Sequence, residues 1–270
     1  MMEVLSERSS RVVSYAKLHR AAARREQGRF LVEGVNAVQA ALRSGHAQIM
    51  LVPDDDQDRH ASLIAEARDA GVDVVAIRPQ AAVKLAETST PTGIFAVCGL
   101  LDDSLDRVLA AAPRLLAVGV EPREPGNAGT LIRCADAMGA DAVVLLGDAV
   151  DPHNGKCVRS SAGSIFHLPI VRERSVSDAL SAIAAAGVCV LATAADGELI
   201  LDDISDDADG LLTRPTAWLF GNEAHGLPVD VQAMADHRVA VPIRGRAESL
   251  NVAATAAICL YASARRQTRD

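Results

Sequence analysis

The sequence predicts an α/β protein with two α/β units, on three observations. Short apolar runs alternate with helix-like segments from Phe30 onward. Most runs of the later half are continuous rather than alternating, as in strands covered on both faces. Several helical segments stop at a glycine, such as Gly45 and Gly71. Alternation of this kind argues for a parallel sheet in the later half.

The first 29 residues carry Arg8, Arg11, Lys17, Arg20, Arg24, Arg25 and Arg29 against Glu3, Glu7 and Glu26. They read as a basic helical lead-in, either a solvated face or an RNA-phosphate surface. Residues 30–105 form the first α/β unit. Strands are expected at "RFLVEG", "AQIMLV", "VDVVAI" and "GIFAVCGL". Helices are expected at "VNAVQAALRSG", "RHASLIAEARDAG" and "PQAAVKLAET". The charged stretch "LDDSLDRVLAAAPR" reads as a connector. Residues 113–270 form the second unit, with strands at "RLLAVGV", "ADAVVLLG", "GVCVLATA", "TAWLFG" and "HRVAVPI". Helices are expected over 128–138, 175–186 and 228–236, with a last one at "SLNVAATAAICLYASARR".

Composition narrows the function. The 270 residues are 49% hydrophobic, enough for a full core, and the formal net charge is -8. That balance excludes a coat for bulk nucleic-acid binding and leaves a local basic patch. Five dispersed cysteines fit neither a disulfide framework nor a zinc site and suit a reducing cytoplasm. No apolar signal core and no run of membrane-spanning length occurs, so a soluble, cytoplasmic protein is expected.

In parallel sheets, ligands bind in the loops at the carboxyl ends of strands. Three such loops stand out. The first, "EPREPGNAGTLIRCA", lacks the lysine of a phosphate loop and the spacing of a dinucleotide fingerprint. Asn127 there is a helix cap or a site residue. Arg133, about one turn past Gly129, is a surface ion-pair partner or a site residue. The second, "FGNEAHGLP", places Gly221, Glu223 and Gly226 in one turn, with His225 read as an exposed turn residue. The third, "VPIRGRAESLNVA", joins Pro242 and Gly245 to Ser249, which is expected to start a helix with Asn251 in its first turn. Polar Ser-Leu-Asn buried against a strand end points to a ligand.

Together the three loops resemble the signature motifs of the SpoU (TrmH-type) branch of the SPOUT RNA methyltransferases. Asn127, Gly129 and Arg133 match the first motif, where Glu121 stands for the usual Asp of its lead. Gly221, Glu223 and Gly226 match the second. Pro242, Gly245, Ser249, Leu250, Asn251 and Val252 match the third. "KCVRSSAGSIFHLPI" is similar to the family's Ser-x-Gly segment, and residues 30–105 resemble, more loosely, its ribosomal-protein-like substrate-binding domain.

The resemblance implies a C-terminal SPOUT-type parallel sheet with a trefoil knot, and S-adenosylmethionine as cofactor. It implies ribose 2′-O-methylation of RNA, with ribosomal RNA expected. Transfer RNA is the alternative substrate, and a non-catalytic RNA-binding assembly factor is the alternative function. A small-molecule Rossmann enzyme is disfavoured by the missing glycine fingerprint. The implied catalytic residues are Arg133, Asn127, Glu223, Ser249 and Asn251. The implied cofactor contacts are Gly221, Val241, Ile243, Leu250 and Ser249. Arg11, Lys17, Arg20, Arg24, Arg25, Arg29, Lys156 and Arg159 are expected to meet RNA. A homodimer is implied; no metal or membrane is expected. A guanidinium stays protonated near neutral pH, so Arg133 fits electrostatic stabilisation better than base catalysis.

Overall fold

The computed structural model describes residues 3–87, 93–207, 210–222 and 225–267. The chain forms two compact units. One comprises Met1–Leu101 with Asp151–His167, the other Asp102–Val150 with Leu168–Asp270.

The first unit contains strands β1 (Val4–Leu5), β2 (Arg29–Glu33), β3 (Ala47–Pro53), β4 (Asp73–Ile77) and β5 (Phe95–Gly99). Its helices are α1 (Ser10–Ala16), α2 (Ala21–Gln27), α3 (Val35–Arg43), α4 (Ala61–Asp69) and α5 (Pro79–Leu85). The sheet order is β1-β4-β3-β5-β2, with β5 antiparallel to β2 and β3. Gly45 and Gly71 take positive φ just past α3 and α4. The next amides, of His46 and Val72, donate back to Ala41 and Ala67, closing both helices.

The basic lead-in is built into this unit. Val12, Tyr15 and Leu18 are buried with Leu31, Leu51, Ile77 and Phe95 in one core, while Lys17, Arg20, Arg25 and Arg29 stay exposed.

Residues 151–167, assigned from the sequence to the later unit by continuity, pack on the first. Their helix α8 (Gly155–Ser160) lies against β2, and the 3-10 turn Ser164–Phe166 against α3. Phe166 stacks on Phe30 at 6.0 Å between ring centroids. Gly163 sits so close to α3 that a Cβ would meet that of Ala40 at 3.0 Å.

The second unit contains β6 (Asp102–Asp103), β7 (Leu115–Val120), β8 (Ala142–Leu146), β9 (Ile170–Glu173), β10 (Cys189–Thr193), β11 (Leu199–Ile200), β12 (Thr216–Phe220) and β13 (His237–Ala240). Its helices are α6 (Leu105–Ala110), α7 (Pro125–Ala137), α9 (Val176–Ala185), α10 (Leu201–Asp206), α11 (Val229–Gln232) and α12 (Val252–Arg266). The stretch read as a connector forms β6 and α6; Ser104 caps that helix by accepting from Arg107 N.

The sheet runs β11-β13-β10-β12-β7-β8-β9-β6, and every pairing is parallel. β7, β8 and β12 are buried along their whole length, which explains their unbroken apolar runs. Helix α12 packs on α7, β7 and β12. Trp218 Nε1 donates to Ser263 Oγ at 2.8 Å, tying α12 to the central strand.

Candidate active site at the carboxyl ends of β7, β12 and β13

Parallel pairing delivers the loops after β7, β12 and β13 to one edge of the sheet. β7 and β12 are direct neighbours, with Phe220 beside Gly119. Helix α7 begins at Pro125, which lacks the N–H that a first helical turn leaves unsatisfied. The cap is Glu124, whose side chain accepts from Gly126 N at 3.3 Å. Asn127 therefore is not the helix cap. It stands in the first turn and lines a cavity. Arg133 lies farther along α7 and is exposed, while Ala128, Leu131, Ile132 and Ala135 bury the opposite face. Its side chain makes no ion pair or hydrogen bond among the described residues.

After β12 the chain turns back on itself. Asn222 and Gly226 exchange backbone hydrogen bonds of 3.0 and 2.8 Å. Gly221 admits no side chain: a Cβ would stand 2.2 Å from the Gly226 carbonyl carbon. Asn222 Nδ2 donates to the Glu121 carbonyl at 2.9 Å, joining the second loop to the first. Glu223 lies outside the described residues. His225 is exposed and faces the cavity.

The third loop differs from expectation. Residues 243–251 are exposed, so the Ser-Leu-Asn segment is not buried. Val241 is half-buried, and Ile243 and Leu250 leave apolar surface open to solvent. Arg244 pairs with Asp202. Ser249 does not start the helix; the cap of α12 is Asn251, whose Oδ1 accepts from Ala253 N at 2.8 Å. A side chain that bonds its own backbone two residues on ends the extended segment there. The same Asn251 donates from Nδ2 to Asn127 Oδ1 at 3.3 Å. The third loop is thus linked to the first, as the second is.

The cavity has a volume of about 700 Å³ and is lined by Val120, Glu121, Arg123, Glu124, Asn127, Asn222, His225, Gly226 and Pro228. Its size suits an organic ligand or a nucleotide. Glu121, Arg123 and Asn222 were not among the candidate site residues. Each lies within three residues of the end of a central strand, and Glu121 also stands in the lead of the first motif. Burial pushes the nearby Cys134 thiol up, so it is not a ready thiolate nucleophile. No group of His, Cys, Asp and Glu suited to a metal ion occurs among the described residues.

The proposed RNA contacts divide in two. Lys17, Arg20, Arg25, Arg29 and Lys156 are exposed. Arg24 is not an RNA contact: it is 3% exposed and bonds Asp151 Oδ2 at 2.6 and 2.9 Å and the carbonyls of Leu18 and His19. Arg11 is engaged with Glu3 and Asp73, and Arg159 with Glu33 and Glu87.

Fold and site together define an α/β protein with a cavity at the carboxyl ends of two adjacent parallel strands, walled by the loops after β7 and β12, with the loop after β13 tied to the first of them by Asn251. The SpoU rRNA Methylase family matches residues 114–261, and the MRM3-like substrate binding domain matches residues 9–96. The chain belongs to the SpoU rRNA methylase family. It is 35% identical to the 23S rRNA (guanosine(2553)-2'-O)-methyltransferase RlmP of Bacillus subtilis, over 97% of this chain and 98% of that one. It is 34% identical to the 23S rRNA (uridine(2479)-2'-O)-methyltransferase of Streptomyces viridochromogenes, over 90% and 85%. Among solved structures, the AdoMet-bound rRNA methyltransferase of Sinorhizobium meliloti superposes with a TM-score of 0.83 at 28% identity, covering 98% of this chain and 99% of that one.

Proposed function

We propose that this protein transfers the methyl group of S-adenosylmethionine to a ribose 2′-hydroxyl of 23S ribosomal RNA. The observation that carries the reading is the pair of side-chain bonds, Asn251 to Asn127 and Asn222 to Glu121, that tie the three motif loops together.

The residues fit S-adenosylmethionine. Gly221 leaves no space for a Cβ where the chain folds back, and Ile243 and Leu250 offer apolar surface beyond β13. Gly221, Val241, Ile243, Ser249 and Leu250 would hold the cofactor, which when bound supplies an electrophilic methyl on a sulfonium. Arg133 stabilises the negative charge that develops on the ribose oxygen, in keeping with a guanidinium that stays protonated. Asn127 and Asn251, fixed by their mutual bond, orient the loops around the hydroxyl. Glu223 completes the second motif.

The exposed Lys17, Arg20, Arg25, Arg29 and Lys156 hold RNA phosphates, giving the first unit the role of substrate binding and the second that of catalysis. Helix α12, which leaves Ile258 and Tyr261 exposed, supports a homodimer through the catalytic unit. A cytoplasmic location and a knotted path of the C-terminal segment complete the reading.

Incubating the protein with methyl-labelled S-adenosylmethionine and separated 23S, 16S and transfer RNA tests it. Label in 23S RNA is expected. Label confined to transfer RNA moves the substrate class, and RNA binding without label contradicts the enzyme.

A further inference from the structure

The two relatives above act on different bases, a guanosine and a uridine, at nearly equal identity to this chain. Kinship therefore does not choose the base, and the cavity wall carries chemistry that does.

Glu121 and Arg123 line the cavity at the end of β7. Glu121 has φ 48°, a left-handed conformation disfavoured for a residue with a Cβ. It is held there from several sides. Its N–H donates to Leu146 O at 2.9 Å, and its carbonyl accepts from Asn222 Nδ2. Its side chain lies over Gly147, where an added Cβ would come within 2.8 Å of Glu121 Cγ. Arg123 Nη1 donates to Asp148 Oδ2 at 2.5 Å, and Nη2 lies 3.5 Å from Glu121 Oε2. Val150 N donates to Pro122 O at 2.9 Å, closing the loops after β7 and β8 on each other. Both side chains remain partly exposed, Arg123 by 54% and Glu121 by 42%. Strain held at a ligand cavity by surrounding bonds is an indication of use.

A carboxylate beside a guanidinium matches one nucleobase edge. Guanine presents two adjacent donors, N1–H and the N2 amine, next to the O6 acceptor. The carboxylate accepts from the first two and the guanidinium donates to O6. Uracil sets one donor between two acceptors, and adenine and cytosine each set one donor group beside acceptors. A phosphate is poorly suited to this wall, because Glu121 and Asp148 pair with Arg123 and Glu124 adds a further carboxylate to the cavity lining. Unstacked RNA bases are read in pockets on such edges.

We infer that Glu121 and Arg123 read the base of the target nucleotide and that this base is guanine. The inference rests on the RNA methylation proposed above.

The test is digestion of the labelled 23S RNA to nucleosides, with mass spectrometry of the product. 2′-O-methylguanosine is expected; the 2′-O-methyl form of another base overturns the inference while leaving the methyltransferase intact. Absence of label from all RNA contradicts both. A second arm uses a target transcript with inosine, which lacks the N2 amine, at the mapped position. The wild type should lose roughly tenfold or more in kcat/KM on inosine. Glu121→Gln should lose a similar factor on guanosine, discriminate little between the two, and keep its affinity for S-adenosylmethionine. Equal loss on both substrates, or loss of cofactor binding, makes Glu121 a structural residue and overturns the assignment.

Discussion

Arg133 is the side chain on which the proposed methyl transfer depends most. It lies on the side of α7 away from the buried Ala128, Leu131, Ile132 and Ala135, which leaves it exposed. Arg133→Ala should lower kcat for methyl transfer by at least about 10²-fold, the scale of losing one charge-stabilising donor. Its affinity for S-adenosylmethionine, measured by calorimetry, should stay at the wild-type value. Arg24 shows the opposite use of the same residue type. Burial pushes the Asp151 carboxyl up, but hydrogen bonds from His153 and Arg24 overcome this and hold it well below the usual carboxylate range. Removing one partner of such a pair leaves a buried charge, so Asp151→Asn should cost roughly 3–5 kcal/mol in chemical denaturation of the first unit. Glu87 is lowered to about 2, by its hydrogen bond with His19 first and by Arg159, against burial. Both carboxyls bind protons less readily folded than unfolded. Their stabilisation is therefore full above about pH 4.5 and is lost as pH falls toward 2. Melting temperature should decline over that window, and a Glu87→Gln variant should show a shallower decline.

At the scale of the elements, loops and caps matter more than strands. Gly221→Ala would drive a methyl into the backbone of Gly226 and Leu227. A stability loss of about 1–3 kcal/mol is expected from such overpacking, with cofactor affinity falling in the same variant. The central strands and the helices ending at Gly45 and Gly71 were legible because burial on both faces and αL stops leave marks in composition. What escaped was set by tertiary pairing. β6, β11 and β1 are two-residue edge strands with no run to read. Helix α6 was hidden in a charged stretch, though Ser104 three residues before Arg107 is a cap signal. The start of α12 was placed too early because a Ser-initiated helix and an Asn-capped one differ only in where the backbone turns. The motif residues were legible as a set, but which polar atoms meet was not. Nothing in the spacing of Asn127 and Asn251 announces a bond across 124 positions.

For the whole molecule, the negative balance of -8 and the RNA reading are compatible only if positive charge is local. RNA affinity should then weaken as salt rises, with a logarithmic slope of about -0.7 for each single-stranded phosphate neutralised. Replacing Arg20, Arg25 and Arg29 together by Ala should flatten that slope and raise KM for RNA, with kcat less affected. Light scattering should report twice the chain mass, and Tyr261→Glu should shift the protein toward the monomer. The most direct measurement is mapping of alkali-resistant linkages in 23S RNA after reaction with S-adenosylmethionine, since a 2′-O-methyl blocks cleavage at its own nucleotide. The account predicts a single new resistant position, absent with Arg133→Ala. Methyl label that enters RNA without any resistant linkage would place the methyl on a base and contradict it.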